Sequence, residues 1–248
     1  MKKFIMVTPL QPCGTKVEFN YSGTLKQDNL DCYNCAKDIK PRITQYDMLS
    51  KDVYIPVGNP KLLYDKFDGK TRFPIIPVIN AYADAGEEIQ VIAVNTHTPS
   101  SETHFAQLEE EVKALAEVNG FVCNGVTDVR VDYAGDVRTM VDIFRKLLDY
   151  LEDDDILYAC FTYGVKPMPI AELMAILYAY RVKRNVSIEC LVYGEKDHSV
   201  DPPVLKIFDI TALAHLDELV RLLAENKVEK PLEVIDTLIE LSKEDDNE

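Results

Sequence analysis

The chain has 248 residues, 47% of them hydrophobic, with 42 acidic against 27 basic side chains and a net charge of −15. That length and apolar content suffice for a full core, either one large α/β domain or a domain with a small appendage. The negative balance argues against bulk binding of DNA, RNA or an anionic membrane, and no apolar stretch reaches the span of a transmembrane helix.

Met1-Lys2-Lys3-Phe4 runs straight into Ile5-Met6-Val7 without a signal-peptide cleavage pattern, so a cytoplasmic protein is expected. Lys3 to Thr8 reads as a first strand. Residues 9 to about 70 carry Gly14, Gly23, Gly58 and Gly69 among many polar residues, with short β-like pieces such as Val53-Tyr54-Ile55, and read as an inserted subdomain or lid. Thr71 to Ala85 is an expected helix, with Ile75, Ile76, Ile79 and Tyr82 along one side, Pro77 delaying its regular hydrogen bonding and Gly86 as its stop. Val91 to Thr96 is the second strand. Ser100 and Ser101 are expected to cap a helix to about Val118, with Phe105, Leu108, Val112 and Leu115 inward and Asn119-Gly120 at its end. Val126 to Tyr133 is the third strand, and Asp136 to Leu151 a helix burying Met140, Ile143, Phe144 and Leu147.

The apolar run Ile156 to Phe161 reads as a buried parallel strand. The turn Thr162-Tyr163-Gly164-Val165-Lys166-Pro167-Met168 follows, and then a helix on which Leu173, Met174, Ile176, Leu177 and Tyr180 recur at helical spacing. Ser187 to Tyr193 is the next strand, Val204 to Ile210 an edge strand, and Ala212 to Glu225 and Leu232 to Ser242 two short helices before a disordered acidic tail, Glu244 to Glu248. The β-α alternation predicts a Rossmann-like parallel sheet with helices on both faces, over residues 1–208 with the insertion at 9–70, and a helical C-terminal extension over 209–248.

Strand, tight turn and helix place Thr162 to Met168 at the carboxyl end of a parallel strand, facing the crevice where open α/β sheets bind ligands. Gly164 permits positive φ or close approach, Pro167 suits a first helical turn, Lys166 supplies a compact positive charge, and the helix is expected to aim unpaired N–H groups at an anion. Arg138, Arg72 and Lys16 are further candidates to neutralise phosphate. The competing reading is a plain Gly-Pro turn with Lys166 solvated. Thr96-His97 and Tyr133-Ala134-Gly135-Asp136 end the second and third strands on the same side. His97 suits a phosphate donor or an acid-base, although no paired nucleophile is visible; Tyr133 suits stacking on adenine, Gly135 backbone access and Asp136 a helix cap. Cys32-Tyr33-Asn34-Cys35, with Cys13 nearby, has metal-ligand spacing but lacks a fourth ligand nearer than His97, so free thiols and no metal are expected; Cys123, Cys160 and Cys190 read as core thiols. His104, His198 and His215 receive no role.

On the residues Thr162, Gly164, Lys166 and Met168, in a T-x-G-x-K-x-M turn between the strand at Ile156 and the helix and strand ending at Tyr193, the chain resembles CARF domains. These are CRISPR-associated Rossmann folds that sense cyclic oligoadenylates. The similarity extends over roughly residues 1 to 225, with the turn as its specific part. It implies a homodimer that places one cyclic tetra- or hexa-adenylate across its two-fold axis, with Lys166 on phosphate or ribose. The family's second contact, the loop after the first strand, begins here at Thr8-Pro9-Leu10-Gln11 and runs into an unusually long excursion.

No Arg has a His at the spacing of the Arg-x4-6-His nuclease motif carried by RNA-degrading CARF proteins, and the roughly forty residues after Ile207 are expected to be too few for a further effector domain. Two readings follow within the resemblance. One is a metal-independent ring nuclease without cofactors, with Lys166, Thr8 and Gln11 catalytic. The other is a receptor that regulates a separate effector protein. Outside it stand a nucleotide-dependent α/β enzyme, for which both the G-x-G-x-x-G fingerprint and a P-loop are missing, and a purely structural dimerisation module.

Overall fold

Continuous apolar runs make strands that are buried on both faces, and here they set the frame. Phe4, Ile5, Met6 and Val7 are all fully buried, as are Val91 to Val94 and Leu157 to Cys160 almost without exception. The computed structural model describes residues 1–9, 51–132, 136–201 and 203–245. In chain order its elements are β1 (Lys2–Val7), β2 (Asp52–Val57), β3 (Lys70–Thr71), α1 (Ile75–Tyr82), β4 (Glu88–Asn95), α2 (Pro99–Asn119), β5 (Val122–Arg130), α3 (Val137–Leu148), β6 (Ile156–Cys160), α4 (Pro167–Val182), β7 (Ser187–Asp197), β8 (Val204–Asp209), α5 (Thr211–Glu225) and α6 (Pro231–Asp245). They form two compact units, Met1–Asp209 and Ile210–Glu248.

The first unit is a Rossmann-like α/β fold on a sheet of eight strands in the order β3-β2-β8-β7-β6-β1-β4-β5. The five strands from β5 to β7 are mutually parallel, with Val7 opposite Val94 on one side of β1 and Met6 opposite Cys160 on the other. After β1 the chain first adds β2 and β3 at the far end of the sheet, then lays β4 and β5 outward on one side of β1 and returns to lay β6 against the other side. The order therefore reverses between β1 and β6, which makes the carboxyl ends of those two strands the switch point of the sheet. Helices cover both faces: Phe4 and Met6 share a core with residues of α1 and α2, whereas Val7, on the alternate face, meets the start of α4.

Three expectations change. The Val204 strand is not an edge, because β8 runs antiparallel to β7 on one side and pairs in parallel with β2 on the other. Of the expected insertion or lid, residues 51–71 extend the main sheet through β2 and β3, and residues 10–50 lie outside the described residues. The third concerns α4, where the apolar spacing suggested that Met174 and Leu177 face inward. Instead Ala171, Ala175 and Ala179 lie against the sheet with Met168 and Ile176, and Met174 is 57% exposed. A stripe of small residues lets the helix axis approach the strands closely, and this displaces the larger side chains to the flank and the outside.

The second unit consists of α5 and α6, on which Arg221 pairs with Glu218 and Glu225 along one helix. Glu244 and Asp245, expected in a disordered tail, belong to α6, while residues 246–248 lie outside the described residues.

Candidate functional site

Gly164 is the hinge of the switch point. Its φ of +95° lies in the region that side chains rarely adopt, and a Cβ there would stand 2.9 Å from Val7 Cγ1 and 3.3 Å from Met168 Cβ and Sδ. Glycine therefore lets the turn after β6 lie directly on the end of β1. Met168, expected to face a ligand, is fully buried under Gly164 and shapes the turn from below. Thr162 is engaged as well: its Oγ1 accepts the Gly194 N–H at 2.7 Å and lies 3.2 Å from Cys160 Sγ. Gly194 must lack a side chain here, since a Cβ would approach Pro74 Cγ to 2.6 Å and Thr162 Oγ1 to 3.1 Å. Burial pushes the Cys160 thiol up to about 12, so it is an uncharged core group.

Tyr163 turns inward. Its hydroxyl donates to the Arg72 carbonyl at 3.0 Å, its ring meets Phe73 edge-on at 6.5 Å, and burial raises its pKa well above the ordinary phenol value. Arg72 in turn directs its guanidinium at Glu111 of α2, 2.8 Å away, and Glu111 also accepts the Thr71 hydroxyl. Arg72 is thus committed to a carboxylate and does not serve as a spare cation for phosphate. Lys16 lies outside the described residues, and Arg138 is exposed in the first turn of α3.

Lys166 presents the opposite picture. It is exposed, stands at the N-cap of α4, and makes no hydrogen bond or ion pair among the described residues. The helix behind it is not the donor array expected. Pro167 and Pro169 have no N–H, and the Met168 N–H donates to the Val165 carbonyl at 2.8 Å. The available donors sit one step earlier: among the described residues, the backbone N–H groups of Tyr163, Gly164, Val165 and Lys166 find no acceptor. Four successive free N–H groups beside an unpaired ammonium have the composition of a backbone anion site, built in the turn itself.

At the end of β1, Thr8 is fully buried, and both its N–H and its hydroxyl donate to the Val94 carbonyl, at 2.9 and 3.0 Å. Its hydroxyl proton is committed, so Thr8 positions the strand end against β4 instead of offering a free donor. Gln11, Tyr133 and Gly135 lie outside the described residues, as do Cys13, Cys32 and Cys35. Asp136 caps α3, its carboxylate accepting the Thr139 N–H at 2.8 Å, and this bond holds its pKa below the usual carboxylate range.

The end of β4 is polar and buried. Thr96 Oγ1 donates to Ser101 Oγ at 3.3 Å, and Thr98, not Ser100 or Ser101, caps α2 by accepting the Ser101 N–H at 3.1 Å. His97 has a φ of +54°, and its Nδ1 lies 2.5 Å from Glu102 Oε1. Sequence reasoning had His97 without its partner. The signal was present, since His97 and Glu102 are the residue before the cap and the fourth helical residue of a Thr98-Pro99 helix start, the two positions that meet across a helix N-terminus. A second omission is Glu172, one turn beyond Met168. It is completely buried, neither carboxylate oxygen has a partner among the described residues, and burial raises its pKa well above the ordinary value, which favours the protonated form.

Among the described residues no three His, Cys, Asp or Glu side chains gather to hold a metal ion, and no helix is long and apolar enough to cross a membrane. A scan of the sequence against family models gives no match, and neither does a search of curated proteins.

Proposed function

We propose that this protein is a cytoplasmic receptor for a cyclic oligoadenylate, a tetra- or hexa-adenylate, in CRISPR antiviral signalling, and that it works as a homodimer. The observation that carries this reading is the combination, among the described residues, of four unpartnered backbone N–H groups with the unpaired Lys166 at the switch point of a Rossmann-like sheet. Phosphate oxygens accept from several donors at once, and a fixed run of N–H groups beside a cation matches that demand. The adenylate ring and the signalling role come from the resemblance of the Thr162 to Met168 turn.

A second copy is supported by α4 itself. Ile170, Met174, Tyr178 and Val182 follow one another at helical spacing and are 40% to 61% exposed, and the stripe begins one turn after Lys166. A two-fold axis beside it sets two Lys166 turns against one ring, and Met174→Glu should then convert a dimer to monomers in sedimentation velocity. An unchanged mass would move the dimer contact elsewhere.

Binding has better support than cleavage. A metal-independent ring nuclease using Lys166, Thr8 and Gln11 loses one of its donors, because the Thr8 hydroxyl already donates to Val94. The test is to incubate purified protein with cyclic tri-, tetra- and hexa-adenylate without metal and to measure bound ligand and products by chromatography. Bound, intact ring is expected, and the regulated effector is then a separate protein. Linear products would make the protein a ring nuclease, and no retention of any ring would reject the reading.

A further inference from the structure

One polar group of residues at the end of β4 is not used by the reading above. Asn95 is fully buried, and its Oδ1 accepts the His97 N–H at 3.1 Å. That bond fixes which way the amide faces, so Nδ2 is the remaining donor, and it is buried with no partner among the described residues. His97 Nδ1 faces the Glu102 carboxylate at 2.5 Å and carries a proton toward it, so in the neutral tautomer Nε2 is an acceptor. Nε2 is buried and also without a partner among the described residues. Among the described residues an amide donor and, in the neutral tautomer, an imidazole acceptor two residues apart are therefore both unsatisfied, although buried polar atoms nearly always find partners. The backbone of His97, at φ +54°, stands in a conformation that non-glycine residues populate sparsely.

The polarity of the pair selects what it can hold. A phosphate oxygen suits Asn95 Nδ2 but sets its charge against the lone pair of Nε2. An ammonium group suits Nε2 and repels the amide hydrogens. A hydroxyl is the one neutral group that suits both, since it can accept from an amide N–H such as Asn95 Nδ2 and donate to an imidazole nitrogen such as His97 Nε2.

We propose that Asn95, His97 and Glu102 form a hydroxyl subsite that takes a ribose 2′-hydroxyl of the nucleotide ligand, with Glu102 positioning the ring. This rests on the cyclic oligoadenylate reading. β4 adjoins β1, which adjoins β6, and two strand spacings put the subsite about 10 Å from the strand that carries the phosphate turn. A ring held by phosphate in the turn can reach that far with a neighbouring ribose. The subsite makes the protein a discriminator of ribo- from deoxyribonucleotides.

The experiment titrates cyclic tetraadenylate and its all-2′-deoxy analogue into the wild type, His97→Phe and Glu102→Gln, with folding checked by circular dichroism. The wild type is expected to prefer the ribo ring by about tenfold or more, the effect of one well-placed hydrogen bond. His97→Phe should erase that preference by weakening the ribo ring alone. Should His97→Phe not fold, Glu102→Gln carries the test, because a ring no longer anchored at Nδ1 loses the preference in part. Equal affinity of the wild type for the two rings overturns the subsite and leaves the nucleotide reading standing, as does a preference that survives in the folded variants. Failure of both rings to bind removes both readings together.

Discussion

The two edges of the parallel sheet handle polar groups in opposite ways. At the amino-terminal edge the lysines and the chain terminus pair: Lys3 meets Asp155 at 3.0 Å with both side chains buried, the N-terminal amine reaches the other oxygen of Asp155, and Lys2 joins Glu87, Asp84 and the Tyr82 carbonyl. Across the sheet, among the described residues, Lys166 has no ion-pair or hydrogen-bond partner, four N–H groups of its turn find no acceptor, and Asn95 and His97 each keep a buried atom without a partner. Removing polar groups from water without pairing them opposes folding, so the paired ions of the first edge favour stability, whereas the buried Asn95 and His97 atoms of the second carry a cost that no partner among the described residues offsets. The carboxyl edge is also where the strand order reverses, so topology and unsatisfied chemistry single out the same place.

Breaking the satisfied edge should do the most damage. Asp155→Ala strands Lys3 in the interior, and a loss of about 3–5 kcal/mol in urea denaturation is expected; a change within error would mean that the edge is not held by this pair. Gly164→Ala strikes the hinge of the open edge and should lose about 3 kcal/mol, from the strained φ and from contact with Val7 and Met168. Wild-type stability in this variant would disprove the close approach of the turn to β1.

Glu172 sharpens the comparison through pH. A carboxyl whose folded-state pKa is raised favours folding fully below its unfolded value of about 4.3 and loses that contribution as pH rises toward the folded value. The wild type should therefore be less stable at pH 8 than at pH 5 by a contribution that Glu172→Gln removes, a gain of about 1–3 kcal/mol at pH 8 that shrinks at pH 5. A variant that tracks the wild type at both pH values would show that Glu172 is ionised or paired. The smallest effect on folding belongs to Lys166→Ala, within about 0.5 kcal/mol of wild type, because nothing in the described fold depends on this side chain.

Much of this frame is legible in the sequence, for physical reasons that differ from element to element. β1, β4 and β6 announce themselves because strands buried on both faces need continuous apolar runs. The switch-point turn is visible because Gly164 and Pro167 have backbone requirements that do not depend on distant partners. Facts that depend on distant pairing are not legible: Val53-Tyr54-Ile55 reads as β-like, but nothing local says that it lies beside β8 and turns an expected edge into an interior strand. The inward face of α4 misleads because alanines score as weakly apolar, whereas close packing on the sheet favours them. At the site, the donor array was expected from the helix terminus, and Pro169 already ruled out part of it. The His97–Glu102 pair was encoded as well, in the spacing around Thr98-Pro99.

The account stands or falls on the open edge being a phosphate site, and the most direct measurement is calorimetric titration of cyclic tetra- and hexa-adenylate into the wild type and Lys166→Ala. The account predicts saturable binding of one ring per dimer by the wild type, with affinity about tenfold to a hundredfold weaker in a variant of unchanged stability. Equal affinity in the two proteins, or no binding by a folded wild type, would contradict it.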